Sequence, residues 1–110
     1  MLAAVKAEGV TEISNAAKEP EIVNIATLLN NMGAKITGAG TSCIKIEGAS
    51  TLDSGRIETI PDRIEAGTFM VAAGITNSKI TINGVNDEHL MPTIEKLKEC
   101  GVYCKMDGEK

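Results

Sequence analysis

Tryptophan is absent, and phenylalanine and tyrosine occur once each in 110 residues. Aromatic rings therefore supply neither a core nor a platform on which bases could stack. Eleven Lys and Arg stand against fifteen Asp and Glu, a net charge of −4, and the lysines are scattered along the chain. There is no basic stripe to meet phosphates, so nucleic acid is excluded as a partner. No apolar run approaches the ~18 residues needed to span a bilayer. Nor is Met1 followed by the basic and then apolar regions of a secretory leader, so no membrane partner is expected and the chain reads as cytoplasmic.

Histidine occurs once, and the three cysteines, Cys43, Cys100 and Cys104, form no C-x-x-C pair. That set excludes a disulfide framework and a metal site. Cys43 and Cys104 are expected as small buried hydrophobes in strands, with Cys100 packing at a helix end. None has the Gly-rich turn or adjacent base of a nucleophile. His89, near a helix start, is expected to face solvent rather than to exchange protons.

What is present is an aliphatic chain, 43% apolar, built on Ile, Val, Leu, Met and Ala, with room for one modest domain. Its informative feature is an internal repeat. "MLAAVKAEGVTEISNA" from Met1 lines up with "MVAAGITNSKITINGV" from Met70, offset by 69 residues. After one deletion "KEPEIVNIATLLNNMGAKI" from Lys18 falls on "NDEHLMPTIEKLKECGVYCKM" from Asn86, placing Ile22 on Leu90, Leu29 on Leu97 and Gly33 on Gly101. The expected organisation is one partial domain over 1–110, with copy one at about 1–52 and copy two at about 53–110.

Each copy reads helix, strand, helix, strand. Ile22, Ile25, Ala26, Leu29 and Met32 recur at helical spacing between Pro20, suited to a first turn, and Gly33, suited to the position after the last. This predicts a helix over about 19–32. Leu90, Ile94 and Leu97 predict its counterpart over about 88–100, with Pro92 tolerated in or near the first turn. Alternating β-branched stretches predict strands at "VTEIS", "KITIN", "AKITG" and "VYCKM", a further strand "SCIKIEG" in a hairpin with Ala34–Gly38, and a sixth at "GRIETI". "PDRIEAGTFMVAAG", Pro61–Gly74, reads as a capped helix buried on most sides, and Met32, Met70 and Met91 read as core. The first copy lacks the introduction that "PDRIEAGTF" gives the second, and the second stops at "MDGEK", where the counterpart of "SCIKIEG" is due. A piece of a longer chain is expected, or one that associates with itself through open sheet edges.

"NAAKEPEIVNIATLLNNMGAKITGAGT" (Asn15–Thr41) and "PDRIEAGTFMVAA" (Pro61–Ala73) closely resemble the UDP-N-acetylglucosamine 1-carboxyvinyltransferase family of bacterial cell-wall synthesis. The likeness covers all 110 residues but about a quarter of the family's chain. It implies an α/β fold with a mixed sheet, a partial enolpyruvyl-transferase domain made of repeated β-α-β-α-β-β units. It also implies transfer of the enolpyruvyl group of phosphoenolpyruvate to the 3-hydroxyl of UDP-N-acetylglucosamine, by addition and elimination through a tetrahedral intermediate, with no metal and no organic cofactor. The site implied is a cleft between two domains that closes on the substrates. The family's Lys-Asn pair, catalytic-cysteine loop, proton-accepting aspartate and phosphate-binding arginines have no counterpart here. No catalytic residue is therefore assigned, and the segment alone is expected to be inactive without the remainder of the transferase chain.

The cleft candidates that the resemblance carries over are Glu19 and Glu21 in "KEPEI", and Asp62, Arg63 and Glu65 in "PDRIE". A purely structural role competes at each position. Asp62 with Glu65 is an acidic form of the capping box, and Glu19 and Glu21 suit the positive end of a helix dipole. Two other functions compete: a stand-alone structural module that dimerises through its edges, and a piece of the sister enzyme 5-enolpyruvylshikimate-3-phosphate synthase, against which the "PDRIEAGTF" and "KEPEIV" matches stand.

Overall fold

The computed structural model describes residues 1–106; residues 107–110, the last four of the second predicted copy, lie outside the described residues. The chain divides into two compact units that part between Ile60 and Pro61. The first contains a short 3-10 turn, Ala4–Lys6, then β1 (Val10–Ser14), α1 (Pro20–Asn31), β2 (Lys35–Thr37) and β3 (Cys43–Glu47). The second contains α2 (Arg63–Ile75) and α3 (Asp87–Glu99).

In the first unit β3 is the central strand, antiparallel to both neighbours in the order β1-β3-β2. Thr11 and Ile36 flank Ile46, and Glu12 and Thr37 flank Lys45. The pleat sends alternate residues to opposite faces. Ile44 and Ile46 therefore point inward, 2% and 0% exposed, onto Val5, Ala26, Leu29 and Ile36. Burying a side chain of that size contributes about 1.5–3 kcal/mol. The predicted hairpin forms through Gly38 and Gly40, both at positive φ, and the Thr41 hydroxyl donates to the Gly38 carbonyl at 2.8 Å.

Helix α1 starts with Pro20 at its first position and stops at Gly33, φ +97°. There the Gly33 amide donates to the Asn30 carbonyl at 3.0 Å and the Ala34 amide to the Leu29 carbonyl at 2.9 Å. Two otherwise orphaned carbonyls are satisfied, and the chain is turned back into β2. Helix α3 ends in the same way, with Gly101 at φ +85° and the Val102 amide donating to the Leu97 carbonyl at 2.9 Å. Its start is capped by Asn86, whose Oδ1 accepts from the Glu88 amide at 3.0 Å. Leu90, Ile94 and Leu97 form its buried stripe. Together with Ala66 of α2, Leu90 and Ile94 make the second unit's core.

Several expectations are corrected. The stretches 55–60, 79–83 and 102–106 form no strands. The first runs beside α1 and is held by side chains instead: Asn31 Nδ2 donates to the Arg56 carbonyl at 3.0 Å and Asn24 Nδ2 to the Glu58 carbonyl at 3.2 Å. The other two align with β1 and β2, which do not pair with each other but with the strand between them. No such strand exists in the second unit among the described residues. The "M-x-A-A" helix of the first copy is only the 3-10 turn Ala4–Lys6.

Pro92 is the sixth residue of α3, beyond the first turn, so the Glu88 carbonyl loses the amide four residues on. Helix α2 is not buried on most sides: Ala66 and Gly67 are buried, whereas Ile64, Phe69, Val71 and Ile75 are exposed. Its apolar surface is wider than the single helix, α3, that packs on it within the unit. Met32 and Met70 do pack against the two cores.

Candidate functional site

The predicted site residues occupy two helix starts, one in each unit. At α1, Glu19 is the N-cap residue but its side chain caps nothing. Pro20 at the first helical position has no amide to receive, and the Ile22 amide is taken by the Glu19 main-chain carbonyl at 2.9 Å. Glu21 lies in the first turn. Both carboxylates are exposed, where the positive end of the helix favours them by about 0.3–1 kcal/mol.

At α2 the cap is a side chain. Asp62, with φ −73° and ψ 98°, turns the chain into the helix, and its Oδ1 accepts from the Glu65 amide at 2.8 Å. Such a bond contributes about 1 kcal/mol. The expected return bond from the Glu65 side chain to the Asp62 amide is not formed among the described residues; Glu65 is exposed and adds only its charge to the first turn. Arg63 is half-buried at the first helical position, between these two acids. Asp62 Oδ1 is thus committed to the backbone, while Oδ2 has no protein partner among the described residues. A carboxylate held this way can accept one more hydrogen bond without a change of rotamer.

The cysteines and the histidine depart from expectation. Cys43 is exposed, because the parity that points Ile44 and Ile46 inward turns Cys43 to the other face. Its thiol is pushed above its ordinary pKa. Loss of water around Sγ comes first, although the residue as a whole is exposed; the Glu12 carboxylate follows, both by its charge and by accepting from the thiol, and Lys45 opposes them. That environment disfavours thiolate, the reverse of what a nucleophile requires. Cys100 is exposed at the end of α3, and Cys104 is half-buried outside any strand. His89 is not solvent-facing: it is half-buried, and its Nδ1 is buried with no hydrogen-bond partner among the described residues. No group of three His, Cys, Asp or Glu able to hold a metal occurs among the described residues.

Sequence reasoning missed Asn30. Its Oδ1 accepts from the Ile36 amide at 2.8 Å and its Nδ2 donates to the Ile36 carbonyl at 2.9 Å. A side-chain amide thereby pairs with the free edge of β2 as another strand would. The available signal was an asparagine three residues before the helix-ending glycine, too common a pattern to single out.

A mixed α/β unit with this sheet, preceding a capped helix that carries the "PDRIE" acids, defines a class when set beside known proteins. The family model described as EPSP synthase (3-phosphoshikimate 1-carboxyvinyltransferase) matches residues 1–110, and the chain belongs to that family. Within it, the chain is 57% identical over its whole length to UDP-N-acetylglucosamine 1-carboxyvinyltransferase 1 of Caldanaerobacter subterraneus subsp. tengcongensis, covering 26% of that protein. It is 56% identical over 93% of its length to UDP-N-acetylglucosamine 1-carboxyvinyltransferase 2 of Geobacillus kaustophilus, covering 24%. It is 57% identical over 99% of its length to the protein of that name in Clostridium tetani, covering 26%. The chain thus spans about a quarter of the length of the curated relatives it matches.

Proposed function

We propose that the chain is a quarter-length segment of a UDP-N-acetylglucosamine 1-carboxyvinyltransferase and serves, within the whole protein, the transfer of enolpyruvyl from phosphoenolpyruvate to UDP-N-acetylglucosamine in peptidoglycan synthesis. The observation that carries this reading is 57% identity over all 110 residues to a relative of that name. The sister enzyme that gives the family model its name is the weaker reading, because the relatives above carry the cell-wall name.

In the reaction, the sugar hydroxyl gives up its proton as its oxygen bonds to the vinyl carbon that bears phosphate, and the electron pair of the double bond takes a proton at the adjacent methylene. Loss of a proton from the resulting methyl group and departure of phosphate then restore the double bond. Phosphate leaves with the electron pair of its C–O bond, so the step balances without an oxidant or a metal. The acids and base for these transfers are not assigned to this segment.

Its part is to border the cleft. In this reading Asp62 Oδ2, with Oδ1 tied to the Glu65 amide, accepts a hydrogen bond from a substrate hydroxyl. Arg63 favours an anionic group, and Glu19, Glu21 and Glu65 keep unselected anions away from helix starts that would otherwise attract them. The compartment proposed is the cytoplasm, where both substrates of the proposed reaction would be met.

The test is complementation of turnover. The isolated chain should form no product from the two substrates, whereas a longer transferase carrying this segment in place of its own should turn over. Robust turnover by the isolated chain, or none by the chimaera despite normal folding, overturns the assignment. Self-association is a second reading, favoured by the exposure of Ile75 and Tyr103, 81% and 86%; sedimentation at rising concentration decides it.

A further inference from the structure

The chain holds seven asparagines, and the fold occupies six of them. The amide that follows Asn15 donates to the Ser42 carbonyl at 3.0 Å, the one after Asn31 to the Leu28 carbonyl at 3.0 Å, and the one after Asn77 to the Ala73 carbonyl at 3.0 Å. Those after Asn24 and Asn30 lie inside α1 and are spent on its ladder. Asn86 has its side chain on the Glu88 amide as the cap of α3. Asn83 differs from all of these. It is exposed, as is Gly84, and among the described residues neither its side chain nor the Gly84 amide makes a hydrogen bond.

This openness belongs to a place in the repeat. Asn83 and Gly84 fall on Ser14 and Asn15 of the first unit, and those two are exposed although β3 pairs with β1 as far as Ser14. The Asn15 amide likewise makes no hydrogen bond among the described residues. Asn15 and Gly84 both take positive φ, 52° and 70°. The flanking residues are anchored in both copies: Ile13 and Ala16 pack on the first core, and Ile82 and Val85 on the second. Two open residues thus sit between two fixed ones. In the second copy alone the open pair reads Asn-Gly, and a Cβ placed on Gly84 would meet nothing within 4 Å. Nothing crowds the Gly84 nitrogen.

We propose that Asn83–Gly84 is a site of self-modification, where the asparagine converts to aspartate and isoaspartate through a cyclic imide. The Gly84 main-chain nitrogen loses its proton as it bonds to the side-chain carbonyl carbon of Asn83. The bond from that carbon to the side-chain nitrogen breaks, and the nitrogen keeps the electron pair, takes a proton and leaves as ammonia. Water then adds to one of the two imide carbonyls. Opening at the side-chain carbonyl gives aspartate, and opening at the main-chain carbonyl gives isoaspartate, so the steps balance with water alone. Glycine gives the chain the freedom to bring nitrogen and carbonyl carbon together, and it has no Cβ to shield the nitrogen. The two products differ in effect. Aspartate adds a negative charge just ahead of the positive end of α3, which tolerates it. Isoaspartate lengthens the main chain by a carbon between Ile82 and Val85, both of which are packed on the core, and so loosens the start of α3. This inference does not depend on the transferase reading.

The test is ageing in mildly alkaline buffer, of the full chain and of a whole member of the family carrying this segment in place of its own, each with a parallel run in denaturant. Peptide mapping by mass spectrometry reads the replacement of the side-chain amino group by hydroxyl, and electron-transfer fragmentation separates isoaspartate from aspartate. In both proteins Asn83 should convert within roughly threefold of its rate in denaturant, whereas the other six asparagines should be slowed about tenfold or more by the fold. Gly84→Ala should slow conversion at Asn83 by roughly tenfold. Amide exchange in the first turn of α3 should be faster in the isoaspartate fraction and unchanged in Asn83→Asp. Protection of Asn83 equal to that of the other six overturns the proposal, as does equal conversion of all seven. Aspartate without isoaspartate, or an unchanged rate in Gly84→Ala, would mark direct hydrolysis of the side chain and overturn it too.

Discussion

The Glu65 amide donates to Asp62 Oδ1 at 2.8 Å, and this bond fixes the start of α2. It also fixes the carboxylate that the proposed cleft would use, so stability and activity are entangled at one residue. Two substitutions separate them. Asp62→Ala removes cap and charge, and should lower stability by about 1 kcal/mol. Asp62→Ser keeps an oxygen for the Glu65 amide and should restore most of that loss. In a whole transferase carrying this segment, both should lower turnover by tenfold or more, on the order of 1.4 kcal/mol in the barrier. Denaturant midpoints and kcat measured side by side decide between the roles. Activity that recovers with stability in the serine variant would leave Asp62 as a cap alone.

Asn30 predicts a different kind of loss. Both its amide groups pair with the Ile36 main chain, so Asn30→Ala strands a donor and an acceptor at the edge of β2. The cost should be about 1–3 kcal/mol, read as a lowered urea midpoint. Asn30→Asp keeps the bond from the Ile36 amide but sets a carboxylate against the Ile36 carbonyl, so it should rescue part of the loss at most. Hydrogen exchange at the Ile36 amide should accelerate in both variants.

The local elements were legible in the sequence, and the long-range ones were not. The helix expected over 19–32 forms at Pro20–Asn31, and that over 88–100 at Asp87–Glu99, because a helix and its caps are encoded within a few residues. β1, β2 and β3 match their alternating stretches for the added reason that all three are present to pair. "KITIN" and "VYCKM" carry the same pattern and form no ladder, since alternation encodes a face but not a partner. Parity decides Cys43: alternation in "CIKIE" makes either set the inner one, and the isoleucines take the core. At the candidate site, the Asp62 cap was legible from an acid before an apolar run, whereas the missing return bond from Glu65 depends on a rotamer that no spacing encodes.

Gly38 tests the turn that brings β3 between its neighbours. It sits at φ +79°, and a Cβ placed there would lie 2.1 Å from the Cys43 carbonyl oxygen. That neighbour is backbone, so the clash is relieved only by opening the turn. Gly38→Ala should therefore cost more than the positive-φ penalty alone, which is about 1–2 kcal/mol. Faster exchange in β2 and β3, with the amides of α3 unchanged, would localise the effect to the hairpin. Unchanged stability would mean that the turn has another conformation open to it.

Cys43 gives a prediction in pH. Its thiol is raised by lost hydration, by the Glu12 charge and by the bond to Glu12, against the opposing effect of Lys45. A raised thiol pKa leaves less thiolate at any pH below it, and alkylation proceeds through thiolate. The rate profile of Cys43 with iodoacetamide, followed by mass spectrometry of its peptide, should thus lie at higher pH than that of an unstructured cysteine peptide. Glu12→Gln removes the negative charge and should move the profile down, but not to the reference, because the hydration effect, the largest of the causes, remains. Lys45→Gln removes the one opposing charge and should move it further up. The two variants must shift in opposite directions; a common direction would mean that the strand pairing of Glu12 with Lys45, and not their charges, governs the thiol.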